Sequence, residues 1–164
     1  MEKVDTEKLT RETIRKGGIL SLLYFDIHAK TKEQVIDLAT GFVNTIIERP
    51  GVAFARGEIE QPEENVATKS YSTSVQIKTL NKNLISLIGI CMDYSPFAIE
   101  ILEPSDIRLE ASDIQEIASA LSSAATEYKK YVLQKLASPQ EKFAIEADLQ
   151  KRAEMGRRLL KEGK

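Results

Sequence analysis

The sequence has one cysteine, one histidine and no tryptophan among its 164 residues. A single thiol, Cys91, excludes an internal disulfide framework and any zinc or iron–sulfur site built from several cysteines. An excess of charge of one sign is also lacking, because 23 Lys and Arg stand against 25 Asp and Glu, for a net charge of −2. This balance excludes the strongly basic composition of a dedicated nucleic-acid-binding protein, although it leaves room for a local basic patch.

Long hydrophobic runs are missing as well. The longest apolar stretch, residues 19–27, is interrupted by Ser21 and Asp26. It is far shorter than the roughly 20 residues that a membrane-spanning helix needs. The first five residues, Met-Glu-Lys-Val-Asp, contain no apolar segment of the kind found in secretory signals. We therefore expect a cytoplasmic protein that does not cross a membrane.

What the chain does contain is the composition of an ordinary globular protein, with 42% hydrophobic and 29% charged residues. Its length is typical of one domain with appendages at the termini. We expect an N-terminal helix over residues 1–17, a central domain over residues 18–110 and a helical extension over residues 111–164.

Hydrophobic periodicity predicts the elements of the central domain. The segment 19–29 is apolar on both faces and typical of a central strand, and Thr31 with Gln34 forms a capping pair that opens the clearest helix. The other predicted strands are 52–59, 71–79 and 97–102, the last with a possible extension through Ile107 and Leu109. The other predicted helices begin at the caps Thr6, Asn81 and Ser112, with a last helix over about 140–160, and Glu60–Asn65 is predicted as a surface loop.

The central domain thus has the order strand, helix, strand, strand, helix, strand. This order resembles the ferredoxin-like βαββαβ core of the α+β class, a four-stranded antiparallel sheet with two crossover helices on one face. The likeness covers about half of the chain and depends on element order, not on signature residues. An N-terminal helix and one or two C-terminal helices would be added to this core.

In such a sheet the face opposite the two helices is open. Alternation along the strands predicts an apolar patch on it, large enough to require a cover. The expected covers are the N-terminal helix, the long helix from Ser112 to Leu136, which is the best internal candidate, or a second copy of the chain. We therefore expect a homo-oligomer, with a dimer favoured, and the expected interface residues are Leu20, Leu22, Tyr24, Phe54 and Leu102.

His28 is the only histidine and the first candidate for acid–base chemistry. Asp26 lies two residues earlier and therefore on the same strand face, where a carboxylate can orient an imidazole. The same spacing also fits two unrelated polar groups at a strand end. Neither a helical HExxH motif nor a cysteine pair accompanies them, so the sequence indicates no metal site and no cofactor. Cys91 falls on an apolar helix stripe and is expected in the core.

The turn Lys30-Thr31-Lys32 is the candidate for binding a small carboxylate or phosphate, because it places helix N–H groups beside two lysines. A capped helix with solvated lysines explains the same residues. Nucleic acid is disfavoured as a partner: the element order is shared with the RNA-recognition motif, but the third strand lacks that motif's glycine and paired aromatics. The basic end, 151–164, keeps nucleic acid open as an alternative.

These features favour a non-enzymatic regulatory or assembly module that self-associates and binds a small ligand at a subunit interface. In this it resembles small effector-binding domains with the same element order. The alternatives are a small enzyme that uses Asp26 and His28 on the open sheet face, and a nucleic-acid-associated protein that acts through the basic C-terminal helix.

Overall fold

A computed structural model of the protein describes residues 3–136 together with residues 138, 141, 144, 147, 150, 151, 154 and 155. The chain forms two compact units, Met1–Ile117 and Ala118–Lys164. The first unit carries an antiparallel sheet with helices, so the protein belongs to the α+β class. Within the part of the chain that the structure describes, no helix is long and apolar enough to cross a membrane.

The helices and strands follow the predicted order with one addition. They are α1 (Lys3–Arg15), β1 (Ile19–Ala29), α2 (Lys32–Ile47), β2 (Val52–Ile59), β3 (Glu63–Asn65), β4 (Ser70–Asn81), α3 (Leu84–Tyr94), β5 (Ala98–Glu103) and α4 (Ala111–Leu136). The predicted bounds of β1 and β2 and the cap of α2 are confirmed, since Thr31 Oγ1 accepts a hydrogen bond from Gln34 N at 3.3 Å. The predicted last helix lies mostly outside the described residues, and those described between 141 and 155 are helical.

The sheet is antiparallel and has the strand order β2-β4-β1-β5. The additional strand, β3, pairs with residues 70–72 of β4, whereas β2 pairs with residues 75–81. Because β1 occupies the other edge of β4, β2 and β3 follow one another along the same edge. The prediction of a surface loop is therefore wrong for residues 63–65. Just before β3, two hydrogen bonds hold Glu60 against β4. Glu60 N donates to Ser74 O, and Thr73 Oγ1 donates to Glu60 O.

The core lies between the sheet and the helices α2 and α3. In β1 and β4 its residues are directly opposite one another, Leu23 facing Ile77 and Phe25 facing Val75. The ring of Phe42 from α2 packs edge-on against Phe25 with centroids 4.7 Å apart. The other buried members of this cluster are Ile19, Ala39, Ile46, Leu87 and Ile90. The predicted parity of β1 is confirmed, since its odd-numbered residues face the helices.

Three residues that were predicted to cap helices, Thr6, Asn81 and Ser112, have other places in the structure. Thr6 is inside α1, which already begins at Lys3. Asn81 is the last residue of β4, paired with both β1 and β2, and the cap of α3 is Asn83, whose Oδ1 accepts from Ser86 N at 2.9 Å. Ser112 lies inside α4, where the Asp113 carboxylate accepts from Glu110 N at 2.9 Å.

The N-terminal helix covers one end of the open sheet face. Leu20, which points away from the core, is only 8% exposed, and its neighbour Leu80 in β4 is fully buried. Helix α1 contacts β1 and β4, and its residues Thr6 and Thr10 line one groove with Leu20. Of the three expected covers, the N-terminal helix is the one that buries Leu20 within a single chain.

Candidate functional site

The middle of the open sheet face is mixed in character. Leu22 and Tyr24 of β1 are half-buried; Leu22 lies between Lys78 and Glu100, and Tyr24 lies between Gln76 and Ala98. The Tyr24 hydroxyl donates a hydrogen bond to Glu100 Oε1 at 2.9 Å, and this bond raises the pKa of the phenol. The sequence predicted a continuous apolar patch on this face, whereas the structure shows apolar and polar side chains side by side.

The five expected interface residues have different surroundings. Leu20 is 8% exposed, because α1 of the same chain covers most of it, so only a small part of its side chain is left to a second copy or a ligand. Phe54 is half-buried beside α1. Leu102 was expected on the open face, but the pairing of β1 with β5 shifts there: Ser21 faces Ile101, and Leu20 faces Glu103. Leu102 is the extra residue of this bulge and departs from simple alternation.

Strand β5 is the surface that the sequence did not reveal. Among the described strands it is the last of the sheet on its side and pairs with β1 alone, and all six of its residues are exposed. The exposed fractions are 47% for Ile99, 44% for Ile101 and 40% for Leu102, and the preceding Phe97 is 64% exposed. An edge strand presents unpaired N–H and C=O groups, and natural monomers usually protect such edges with charge, proline or a cover.

The edge extends one residue beyond the strand. Phe97 N donates to Tyr24 O at 2.9 Å, and the two rings lie 6.1 Å apart, so the backbone at Phe97 still pairs with β1. The exposed edge therefore runs from Phe97 to Glu103; we call this segment the β5 edge. The signal in the sequence was the apolar run itself, but alternation alone does not distinguish a covered edge strand from an exposed one.

The structure brings Asp26 and His28 together. His28 Nε2 lies 3.0 Å from Asp26 Oδ2, which is the contact that an orienting carboxylate makes with an imidazole. The Asp26 side chain is 46% exposed and the His28 side chain is 63% exposed. They face Ser74 and Ser72 of β4, near the end of the open face. The pair is therefore a solvent-facing contact, and neither residue lines a groove described here.

The turn at Lys30, Thr31 and Lys32 is exposed throughout. The Thr31 hydroxyl already accepts the Gln34 amide, so the helix N-terminus is capped by the chain itself. The lysines on either side extend into solvent at the start of α2. This geometry matches the capped-helix interpretation of these residues.

Among the residues that the structure describes, no group of three or more His, Cys, Asp or Glu side chains could hold a metal ion. The basic segment 151–164 lies mostly outside those residues. Lys151 and Glu154 are the charged members described there, and both belong to a helix and are exposed.

Cys91 lies on α3, partly buried and packed against the core, as its place on the apolar stripe predicted. Burial raises the pKa of its thiol. Less thiolate is then present at neutral pH, and the thiolate is the reactive form.

We expect native Cys91 to react with iodoacetamide at pH 7.5 more slowly than the same thiol in urea, because burial raises its pKa and leaves less of it as the reactive thiolate. Mass spectrometry of timed samples measures both rates. Equal rates in the native and unfolded chains would show that Cys91 is not protected by the fold.

Within the residues that the structure describes, this is an α+β protein whose antiparallel sheet ends in an exposed strand. The chain belongs to the MJ0538 family, whose model matches residues 21–151. The matched range begins within β1 and includes the β5 edge and all of α4, whereas α1 precedes it. Neither curated proteins nor solved structures gave a match to this chain.

Proposed function

We propose that this protein is a non-enzymatic assembly or regulatory module of the cytoplasm that dimerises through the β5 edge. The observation that carries the proposal is the exposure of all six residues of β5 together with Phe97. Full burial of an exposed Ile, Leu or Phe side chain contributes roughly 1.5–3 kcal/mol, and the large apolar side chains of this edge are about half exposed. A second copy that covers several of them at once is therefore favoured over solvent.

We also propose that the core is ferredoxin-like. In its support, the strand that follows α2 and the strand that follows α3 form the two edges, and β1 and β4 are central. The three-residue β3 continues along the edge that β2 occupies. With β3 treated as an interruption in the β2–β4 hairpin, the sheet has the four positions of that fold.

The sequence of the β5 edge favours a second copy as its partner. In an antiparallel pair centred on Ile99, Ile99 faces its own counterpart, and Phe97 faces Ile101 of the second copy. Aromatic and β-branched residues are favourable cross-strand neighbours. In the same register Glu100 faces Ala98, so the two Glu100 carboxylates are not directly opposite. A register centred on Glu100 would oppose them, and like charges placed so are destabilising.

The enzymatic alternative depends on Asp26 and His28. Their 3.0 Å contact is compatible with acid–base chemistry, but a general base usually lies in a site that also holds the substrate. Both side chains project into solvent near a strand end, which favours the non-enzymatic proposal. The nucleic-acid alternative depends on the basic segment 151–164, which lies mostly outside the described residues.

Light scattering after size-exclusion chromatography tests the dimer. We expect a mass of twice 18.4 kDa for the natural chain. The variant Ile99→Lys should have the monomer mass, because a charge at the centre of the pair would be buried without a partner. A matched control is Leu38→Lys, since Leu38 is 54% exposed on α2, away from β5.

The control should keep the dimer mass, and both variants should retain the circular dichroism of the natural chain. A monomer mass for the natural chain across a wide concentration range would contradict the proposal. A dimer that persists in Ile99→Lys would show that the two copies meet elsewhere.

A further inference from the structure

A groove lies between α1 and the open face of the sheet. It has a volume of about 690 Å³ and lies within the first unit of the chain. This volume is in the range of roughly 300–1,000 Å³ that small-molecule sites occupy. The residues that matter for its chemistry are Thr10, Arg11, Leu20, Phe54, Arg56 and Lys78. We call it the α1 groove.

The charges on the sheet side of the α1 groove are unusual. Arg56 of β2 and Lys78 of β4 are directly opposite in the register of the two strands, so both extend from the same face. Like charges directly opposite in an antiparallel pair are destabilising. Arg56 has one long contact with a carboxylate, 3.6 Å to Glu58, and within the described part of the chain Lys78 makes no ion pair. An anion placed between the two would relieve their repulsion.

Helix α1 adds a third cation on the other side. Arg11 lines the groove and is 3.5 Å from Glu7, and both side chains are largely exposed. Such an exposed pair contributes little, so Arg11 can reorient toward a ligand at small cost. Glu7 and Glu103 also line the groove, and Glu58 contacts Arg56 from outside it, so the residue that has no carboxylate partner within the described part of the chain is Lys78.

The same groove has an apolar part. Leu20 is almost fully buried and Phe54 half-buried, and both line the groove beside the cations. A pocket with apolar walls and a few convergent polar groups is the usual form of a small-molecule site. The Thr10 hydroxyl donates to Thr6 O at 2.8 Å, so its oxygen can still accept a hydrogen bond from a ligand.

We propose that the α1 groove binds a small organic phosphate, that is, a phosphate monoester with an aromatic or aliphatic body. Arg56 and Lys78 hold the phosphate, with Arg11 closing from α1, and Phe54 and Leu20 contact the body. The inference goes beyond the proposed dimer and does not depend on it, because a single chain provides all of these residues. It also differs from the predicted ligand site at residues 30–32, which lies at the start of α2.

Phenyl phosphate is the probe for this proposal, because it joins a phosphate monoester to one aromatic ring. In a titration of the ¹⁵N-labelled full chain at low salt, we expect saturable shifts of the amide signals of Leu20, Phe54 and Lys78. Inorganic phosphate should shift the same signals with an affinity about tenfold weaker, since it lacks the ring that contacts Phe54 and a tenfold change is about 1.4 kcal/mol.

Two lysine variants distinguish binding in the α1 groove from general attraction of the anion to surface charge. Lys78→Gln should weaken phenyl phosphate binding about tenfold, whereas Lys82→Gln, at an exposed lysine outside the groove, should leave it within about twofold. Without ligand, Lys78→Gln should unfold at a slightly higher urea concentration than the natural chain, because the opposed cations are removed. A merely structural lysine would give the opposite shift.

Three results would overturn the proposal. The first is the absence of saturable shifts with phenyl phosphate. The second is a set of shifts confined to residues outside the groove. The third is equal weakening by Lys78→Gln and Lys82→Gln, which would show that binding is diffuse attraction to surface charge. Because the groove belongs to one chain, the titration on the monomeric Ile99→Lys variant should give the same affinity, so failure of the dimer leaves this test intact.

Discussion

Thr79→Val should lower the free energy of unfolding by about 2–4 kcal/mol, because each buried polar group left unpaired costs about 1–3 kcal/mol. Thr79 Oγ1 lies 2.8 Å from Ser21 Oγ and 3.0 Å from Asn81 Nδ2, and all three residues are fully buried. Valine has nearly the shape of threonine, so the substitution removes the oxygen and retains the packing. Urea unfolding followed by circular dichroism measures the change.

The control for this prediction is a threonine in a solvated position. Thr45 on α2 donates to Gly41 O at 2.9 Å and is exposed, so Thr45→Val should change stability by only about 0.5 kcal/mol. Adding Ser21→Ala to Thr79→Val should cost less than the sum of the two single changes, since the serine hydroxyl is then no longer left without a partner. Strict additivity, or a Thr79→Val protein as stable as the natural one, would contradict the role given to this network.

The hydrogen-bond network of Ser21, Thr79 and Asn81 leaves one polar atom without a partner among the described residues. Within the described residues, Asn81 Oδ1 is buried and has no hydrogen-bond partner. Asn81 was predicted as a helix cap, where its oxygen would have met backbone N–H groups. The asparagine at 83 takes that place, since the backbone of Asn81 pairs with β1 and β2. Two asparagines two residues apart carry the same local signal, and only the register of the sheet decides between them.

The elements with a strong local pattern were predictable. The run 19–29 is apolar on both parities because β1 is central, and the stripe of α2 follows one helix face from a clear cap. The strand β3 was not predictable, because its residues Glu-Glu-Asn are typical of turns and only pairing with β4 makes them a strand. Ile107 and Leu109 suggested that the last strand extends through residues 104–110, but these residues are not in a strand. Among the described residues they have no neighbouring strand with which to pair.

The candidate site was less predictable than the fold. Parity correctly placed Leu20 on the open face, but burial by α1 is a tertiary contact that no local pattern encodes. The bulge that displaces Leu102 arises where β1 and β5 lose register, and alternation assumes that register is kept. Ile99 and Ile101 are exposed because no described element packs over them, and a local sequence pattern does not show which elements pack on a strand.

The second large effect concerns the pairing of two β5 edges. In an antiparallel pair centred on Ile99, the two Ile99 Cα atoms should be about 4.5–5.5 Å apart, whether the pair is hydrogen-bonded or not. Disulfides join residues whose Cα atoms are about 4.4–6.8 Å apart. A cysteine at this position should therefore link two copies, provided that the natural thiol is first removed.

Ile99→Cys in a Cys91→Ala background should form a covalent dimer nearly quantitatively under mild oxidation. Leu38→Cys in the same background is the control, because Leu38 is somewhat more exposed than Ile99, at 54% against 47%, but lies on α2. It should remain almost entirely monomeric on a non-reducing gel, since a chance encounter of two copies does not hold these thiols together.

The measurement that tests self-association through the β5 edge most directly is the fraction of covalent dimer in these two variants, compared at equal concentration and after equal time. The account predicts a dimer with Ile99→Cys, reversed by dithiothreitol, and essentially none with Leu38→Cys. Equal and slow cross-linking of the two variants would contradict it.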